Sequence, residues 1–428
     1  RQEYRMDMID FFTRSRFGMF VHFGLYSIPA GVWKGREQGR NHYAEWIRYQ
    51  ALWPDGGAIP DGEYRALASE FNPAAFDADA WAEEIRNAGM KYVVITAKHH
   101  DGFALWDSRV SGFNIVKAAP FRRDLIRELK EACDRRGIVL GAYYSHWLDW
   151  EFPGGGLPLW PEIPEDPPLE QPSDAEFEHY FTAKCLPQVT ELLDGYGIRL
   201  FWFDNWCKCS LLTEARLEKL IDLVHSRGGI VNSRIGVTWN HSGGDAAGID
   251  YLSMGDNQFP DKAIPRPWET SGTFNESWGY HRLDYRWKTT DFLLKCLISN
   301  ASRNGNYQLN IGPHADGSIP APSVRRLREI GAWLAVNGES VYNTACAPQP
   351  EPGWGRLTLG KDGALYAHVF ENHPACQLVI EAVSAAPRSA RILETDQRVP
   401  FHHGEGRLTL QMPPESVNSP LNVVKIEF

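Results

Sequence analysis

From Phe17 onward the chain repeats one unit, and that repeat limits the folds open to it. A short apolar run ends in polar residues, and an amphipathic run closed by glycine follows. Phe17–Gly24 (FGMFVHFG) reads as a first buried strand. Asp77–Gly89 reads as a helix with Trp81 and Ile85 on one face. Lys91–Ala97 (KYVVITA) is β-branched and runs into Lys98-His99-His100-Asp101-Gly102. Asp124–Arg136 has helical spacing and is stopped by Gly137; Ile138–Tyr144 is the next strand, leading to Ser145 and His146. Gln188–Asp194 continues a helix, and Ile198–Phe203 is a strand ending at Asp204. Glu214–Arg227 is a helix with Thr213 as N-cap, and Gly229–Asn232 is a short strand ending at Ser233-Arg234. Later helices fall near Thr290–Ala301 and Ala321–Val336. Strand–helix alternation over this length predicts parallel βα units closed into an irregular (β/α)8-like, TIM-type barrel.

The rhythm breaks twice. Trp150–Ser173 is rich in Pro and Gly and too long for an ordinary connection, so it reads as a rim or lid; its Trp160 either touches a substrate or pins the loop. After Asn337-Gly338 the pattern turns to short alternating runs: Arg356–Leu359, Ala364–Phe370, Gln377–Val383, Ala390–Glu394, Arg407–Gln411 and Val423–Phe428. These predict a small C-terminal antiparallel β-sandwich, residues 339–428, after a barrel over 1–338.

Composition excludes some classes. The net charge of -10 opposes a nucleic-acid partner, which needs a basic face. No apolar run approaches the length of a membrane span. The seven cysteines are scattered and odd in number, so they read as mostly free thiols. Arg1 opens the chain without an apolar leader; a removed signal peptide, and a secreted or periplasmic location, are the expectation, with a cytoplasmic location as the alternative. Oligomeric state is not legible.

The polar strand ends carry the chemistry. In a parallel barrel they converge on one pocket, where carboxylate, imidazole and guanidinium can bind the hydroxyls of a sugar and indole its apolar face. The Leu200-Phe201-Trp202-Phe203-Asp204-Asn205 stretch places one carboxylate there, as nucleophile or as loop cap. His22, Glu45, Trp46, His99, His100, Tyr143 and Arg234 join it. A metal site built on His99-His100-Asp101 with His22 is disfavoured, because adjacent histidines on a strand end point to opposite sides. No G-x-S-x-G elbow exists.

FGMFVHFGLYS (17–27), Tyr43-Ala44-Glu45-Trp46, ITAKHHDGFALWDS (95–108), Arg123-Asp124-Leu125, GAYYS (141–145), WFDN (202–205), NSR (232–234), PWET…SWGY (267–280) and NYQLNIGP (306–313) occur in order. Together they resemble the α-L-fucosidases of glycoside hydrolase family 29. The resemblance implies a retaining exo-α-L-fucosidase without cofactor, acting on fucosylated glycans, with an irregular barrel and a C-terminal β-sandwich. It implies Asp204 as nucleophile, and His22, Glu45, Trp46, His99, His100, Tyr143, Trp202 and Arg234 as the residues that hold fucose. The acid/base falls in a variable segment, here Gly255-Asp256-Asn257-Gln258-Phe259-Pro260-Asp261-Lys262, ahead of Pro267-Trp268-Glu269. Asp261 is the first expectation, Gln258 marks a second position, and Glu269 is the third. An amide cannot donate the proton, so Gln258 motivates an alternative: a non-hydrolysing or impaired fucose-binding protein on the same scaffold.

Overall fold

The computed structural model describes residues 2–38, 43–48, 59–158, 170–207, 209–236, 248–371, 376–414, 416 and 421–428. Eight parallel strands form one sheet: β1 (Phe17–Val21), β2 (Tyr92–Lys98), β3 (Val139–Tyr144), β4 (Leu200–Phe203), β5 (Ile230–Val231), β6 (Leu252–Ser253), β7 (Trp268–Thr273) and β8 (Gly305–Ile311). Their order is β5-β4-β3-β2-β1-β8-β7-β6, and the two edges meet through a parallel bridge between Asn232 and Tyr251. Ser233 N–H donates to Tyr251 O (2.9 Å) and Asp250 N–H to Val231 O (3.1 Å), which closes the barrel. The strands are buried on both faces, as parallel strands covered by helices must be.

The helices begin where side chains can cap them. Asp77 accepts from Ala80 N–H ahead of α2 (Ala78–Asn87), and Asp124 from Arg127 N–H ahead of α3 (Leu125–Asp134). Ser173 and Glu176 form a reciprocal capping box at α4 (Asp174–Tyr180), which runs on through two wide turns, Phe181–Cys185 and Glu191–Gly195. Thr213 caps α5 (Glu214–His225) and Thr289 caps α6 (Thr290–Ser302); α7 spans Ala321–Asn337. The N-terminal helix α1 (Gln2–Ser15) lies outside the predicted units. It plugs the N-terminal mouth of the barrel, packing Phe12 against Tyr251 (4.4 Å) and Tyr92 (5.6 Å). Chemistry is thereby left to the C-terminal mouth.

Beyond α7 two antiparallel sheets share a second core that includes Leu357, Leu365, Leu378, Leu408, Val424 and Ile426. The larger has the order β9 (Ala345–Cys346), β10 (Gly355–Leu359), β11 (Leu365–Val369), β16 (Val423–Glu427), β13 (Ser389–Ile392). The smaller orders β12 (Gln377–Ile380), β15 (Arg407–Gln411), β14 (Phe401–Gly404). All seven cysteines are free. Among the described residues no helix is long and apolar enough to cross a membrane. Trp160 and positions 159–169 of the Pro-rich stretch lie outside the described residues.

Candidate active site

Asp204 is the first residue beyond β4, and its neighbours fix it from three sides. Tyr143 Oη–H donates to Oδ2 (2.8 Å), Arg234 Nη2–H donates to Oδ1 (2.6 Å), and His100 Nε2 stands 3.8 Å from Oδ2. Its backbone is held too, since Trp147 Nε1–H donates to Asp204 O (3.0 Å). Burial pushes this carboxyl up, but the Arg234 charge and the hydrogen bonds from Tyr143 and Arg234 outweigh burial and hold it below the ordinary aspartate value. A poised anion results, only 8% exposed.

Arg234 follows β5 and is aimed by two contacts. Its guanidinium lies over the Trp202 ring (4.8 Å), and Nη1–H donates to Asp256 Oδ1 (2.8 Å). Asp256 belongs to the loop after β6. One planar guanidinium therefore spans two carboxylates, and their bonded oxygens are at most about 8 Å apart. Asp256 carries no strand-end or motif signal that would single it out among the charges of its segment. It is half-buried, and so open to solvent.

The histidines are neutral, and their hydrogen bonds select the tautomers. Asn310 Nδ2–H donates to Trp278 O, so Asn310 Oδ1 accepts from His22 Nδ1–H (2.7 Å). Ser145 Oγ–H donates to Leu148 O, so it accepts from His100 Nδ1–H (2.7 Å). Each ring thus carries its lone pair on Nε2. Burial lowers His22 to about 4 and His100 to about 3, and takes His99 well below the usual range. The 3.8 Å gap between His100 Nε2 and Asp204 Oδ2 is too long for a direct bond, and both atoms are acceptors, so each can take a separate sugar hydroxyl. His99 stacks on Tyr143 (5.1 Å, 6°) and meets His100 at 4.1 Å. The opposed orientation expected for adjacent residues fails because β2 ends at Lys98 and the chain turns. Among the described residues no group of His, Cys, Asp or Glu could hold a metal ion.

Glu45 and Trp46 reach the pocket from a short 3-10 turn, Ala44–Trp46. Gly279 N–H donates to Glu45 Oε2 (2.8 Å); burial raises this carboxyl to about 8 despite that bond, so it holds its proton at neutral pH. Trp46 meets His100 (4.7 Å), Trp150 (5.5 Å) and Trp206 (5.5 Å). With Trp278 beside His22 (5.3 Å), the indoles wall the pocket. Trp150, Trp206, Trp278 and Asn310 carry no strand-end signal in the sequence. Trp202 forms the floor: it stacks on Tyr143 (5.5 Å, 19°) and points its N–H into the barrel.

The three expected acid/base positions lie elsewhere. Asp261 is exposed and lines a groove with Arg303, Cys346 and Glu351, at the N-terminal end of the strands beside the C-terminal sheets. The segment descends along β7, which carries Asp261 away from Asp204. Glu269 is inside the barrel, fully buried, with Trp202 Nε1–H (2.7 Å) and Ser253 Oγ–H (3.0 Å) on Oε1 and Tyr92 Oη–H (3.1 Å) on Oε2. Burial raises it to about 7, yet those bonds occupy both oxygens beneath the pocket floor. Gln258 is exposed and folds back over Gly255, where an added Cβ would sit 2.6 Å from its amide carbon. The alternative drawn from Gln258, a binder lacking its acid, loses its motivation with that placement.

The chain is similar to known proteins in sequence and in fold. A family model described as alpha-L-fucosidase matches residues 2–339. The plasma alpha-L-fucosidase of Rattus norvegicus is 32% identical over 356 residues, covering 78% of this chain and 70% of the relative. The crystal structure of an alpha-L-fucosidase from Vibrio sp. strain EJY3 superposes with a TM-score of 0.87 at 32% identity, covering 98% of this chain and 72% of that one. A family 29 alpha-L-fucosidase from Bacteroides thetaiotaomicron, trapped as a covalent intermediate in complex with 2-fluoro-fucosyl fluoride, superposes with a TM-score of 0.85 at 27% identity, covering 100% and 96%.

Proposed function

Because the chain belongs to the alpha-L-fucosidase family of glycoside hydrolases, we propose that it removes terminal α-L-fucosyl residues with retention, through Asp204 and Asp256. The observation that carries the reading is the pair of carboxylates bridged by one guanidinium at the barrel mouth. A retaining site needs two carboxyls about 5–5.5 Å apart, one to attack and one to move a proton. The reach of Arg234 allows that separation. The trapped covalent intermediate of the Bacteroides relative supports a double displacement.

In the first step an Asp204 oxygen attacks the anomeric carbon as the bond to the leaving oxygen breaks. Asp256, which enters this step as the carboxylic acid, gives its proton to that oxygen. In the second step Asp256, now a carboxylate, takes a proton from water, and the water oxygen displaces Asp204. Arg234 and Tyr143 keep Asp204 anionic between turnovers. The Nε2 lone pairs of His22 and His100 accept from sugar hydroxyls, and the protonated Glu45 offers a donor. The indoles of Trp46, Trp206 and Trp278 cover the apolar face, where a methyl group would lie.

The test is chemical rescue. Asp204→Gly should lower turnover of an aryl α-L-fucoside by several orders of magnitude while the protein stays folded. Azide should restore it, yielding the β-configured fucosyl azide, since the anion enters from the vacated side. Near-normal turnover of the variant, or no azide adduct from an activated aryl fucoside, overturns the assignment.

A further inference from the structure

Asp256 hangs from a loop, and loops hold catalytic groups less firmly than strands do. Here the loop is tied to β7 on both sides of the residue. Met254 N–H donates to Glu269 O (3.0 Å) and Asn257 N–H to Ser271 O (3.0 Å), while Thr270 Oγ–H donates to Gln258 O (2.8 Å). The critical tie is a side-chain knot at the end of β7. Asn257 Oδ1 accepts from Thr273 N–H (3.0 Å) and from Lys288 Nζ (2.9 Å). Lys288 Nζ also donates to Thr273 O (2.7 Å) and Thr273 Oγ1 (3.0 Å). All three ammonium donors are thus used, on amide and hydroxyl oxygens and not on a carboxylate.

Two features separate this knot from ordinary surface bonding. Asn257 has φ of +53°, the left-handed region that asparagine tolerates better than most residues, so the chain turns sharply one residue after Asp256. Lys288 is itself fixed from both ends: its N–H donates to Phe274 O (2.7 Å), and Arg326 Nε–H donates to its O (2.6 Å). The knot joins the exit of β7, the loop of Asp256 and the approach to α6 at one ammonium.

We propose that Asn257 and Lys288 are positioning residues that hold the Asp256 carboxyl at proton-transfer range of the leaving oxygen. The inference rests on Asp256 being the acid/base. Neither residue is placed to touch the sugar; they act through the backbone of the residue they neighbour. A shift near 1 Å in a catalytic group costs on the order of 100-fold. The loss should concentrate where protonation is needed, in a substrate whose leaving group is poor.

The experiment compares Lys288→Met, Asn257→Gly and Asp256→Ala with the unaltered enzyme on two substrates. One is methyl α-L-fucoside, a poor leaving group; the other is the 2,4-dinitrophenyl fucoside, whose phenolate departs with little protonation. Glycine keeps the left-handed backbone at 257 while deleting the amide that links the loop to Thr273 and Lys288. In both knot variants kcat/KM should fall about 100-fold on the methyl fucoside and less than about 5-fold on the dinitrophenyl one, following Asp256→Ala in pattern. Equal losses on both substrates, or none, with Asp256→Ala still discriminating between them, overturn the positioning role and leave the acid in place. An Asp256→Ala enzyme that does not discriminate overturns the acid assignment and the inference together.

Discussion

Replacing Arg234 by Met should shift the acid side of the pH–rate profile, and the structure sets the direction. Asp204 works as an anion, and its depressed pKa keeps it so until the pH falls below the ordinary aspartate value. Burial opposes that state, and Arg234 is the largest influence countering burial. Removing a cation bonded at 2.6 Å should raise the carboxyl, because nothing else there offsets burial as strongly. The same cation holds down His22 and His100, so its loss moves every group on this limb the same way. In the unaltered enzyme His22, at about 4, is the last of these groups to lose its proton as pH rises, and kcat/KM should fall off near there. In Arg234→Met the fall should begin at higher pH, so between pH 7 and pH 5 the variant should lose several-fold more than the unaltered enzyme does. The assay is kcat/KM against pH for an activated aryl fucoside, whose leaving group spares the acid. Arg234→Lys, which keeps the charge, should move the limb less. A limb that stays put in Arg234→Met, in a folded protein, would refute the claim that Arg234 keeps Asp204 ionised.

Three further substitutions test the packing. Lys98 and Lys184 both bond Asp149 at 2.8 Å with no solvent exposure of the three side chains, so Asp149→Asn should cost about 3–5 kcal/mol in denaturant unfolding. The two ammoniums hold Asp149 below its ordinary range despite burial, so its share of stability is present above pH 4 or so and is lost as pH falls through the lowered value. Asp261→Ala should leave kcat/KM within about 2-fold, and Glu269→Gln should lower melting temperature while keeping the ratio of rates on good and poor leaving groups. A changed ratio in either would return that residue to the acid role.

Much of the barrel was legible because its strands are buried on both faces and read as unbroken apolar runs. The helices at 78–87, 125–134 and 214–225 announce themselves through Asp77, Asp124 and Thr213. β6, two residues long, is too short to carry a period, and β7 (WETSGT) is polar because Glu269 accepts from Trp202, Ser253 and Tyr92 while Ser271 bonds Gln308 and Thr273 bonds Asn257. β14 (Phe401–Gly404) gives no apolar alternation, because two of its four residues are histidine.

The site divides along the same physical line. A residue that directly follows an apolar strand is visible, because the strand fixes its depth at the barrel mouth; Asp204, His22 and His99 are of that kind. A residue in a loop is not, because sequence distance does not give depth. Asp256 and Asp261 are five positions apart in one segment, yet the segment runs antiparallel to the barrel axis, pinned by Asn257 to the top of β7 and by Arg303 on Pro260 O (2.6 Å) near the bottom. That descent puts the first carboxylate on Arg234 and the second beside the C-terminal sheets. Glu269 shows the converse case. It sits in a conspicuous motif and is shifted upward in pKa as an acid should be, but it belongs to the strand itself, below Trp202, where the indole N–H holds its Oε1. Depth along the barrel, not motif or acidity alone, decides which carboxyl can meet a glycosidic oxygen.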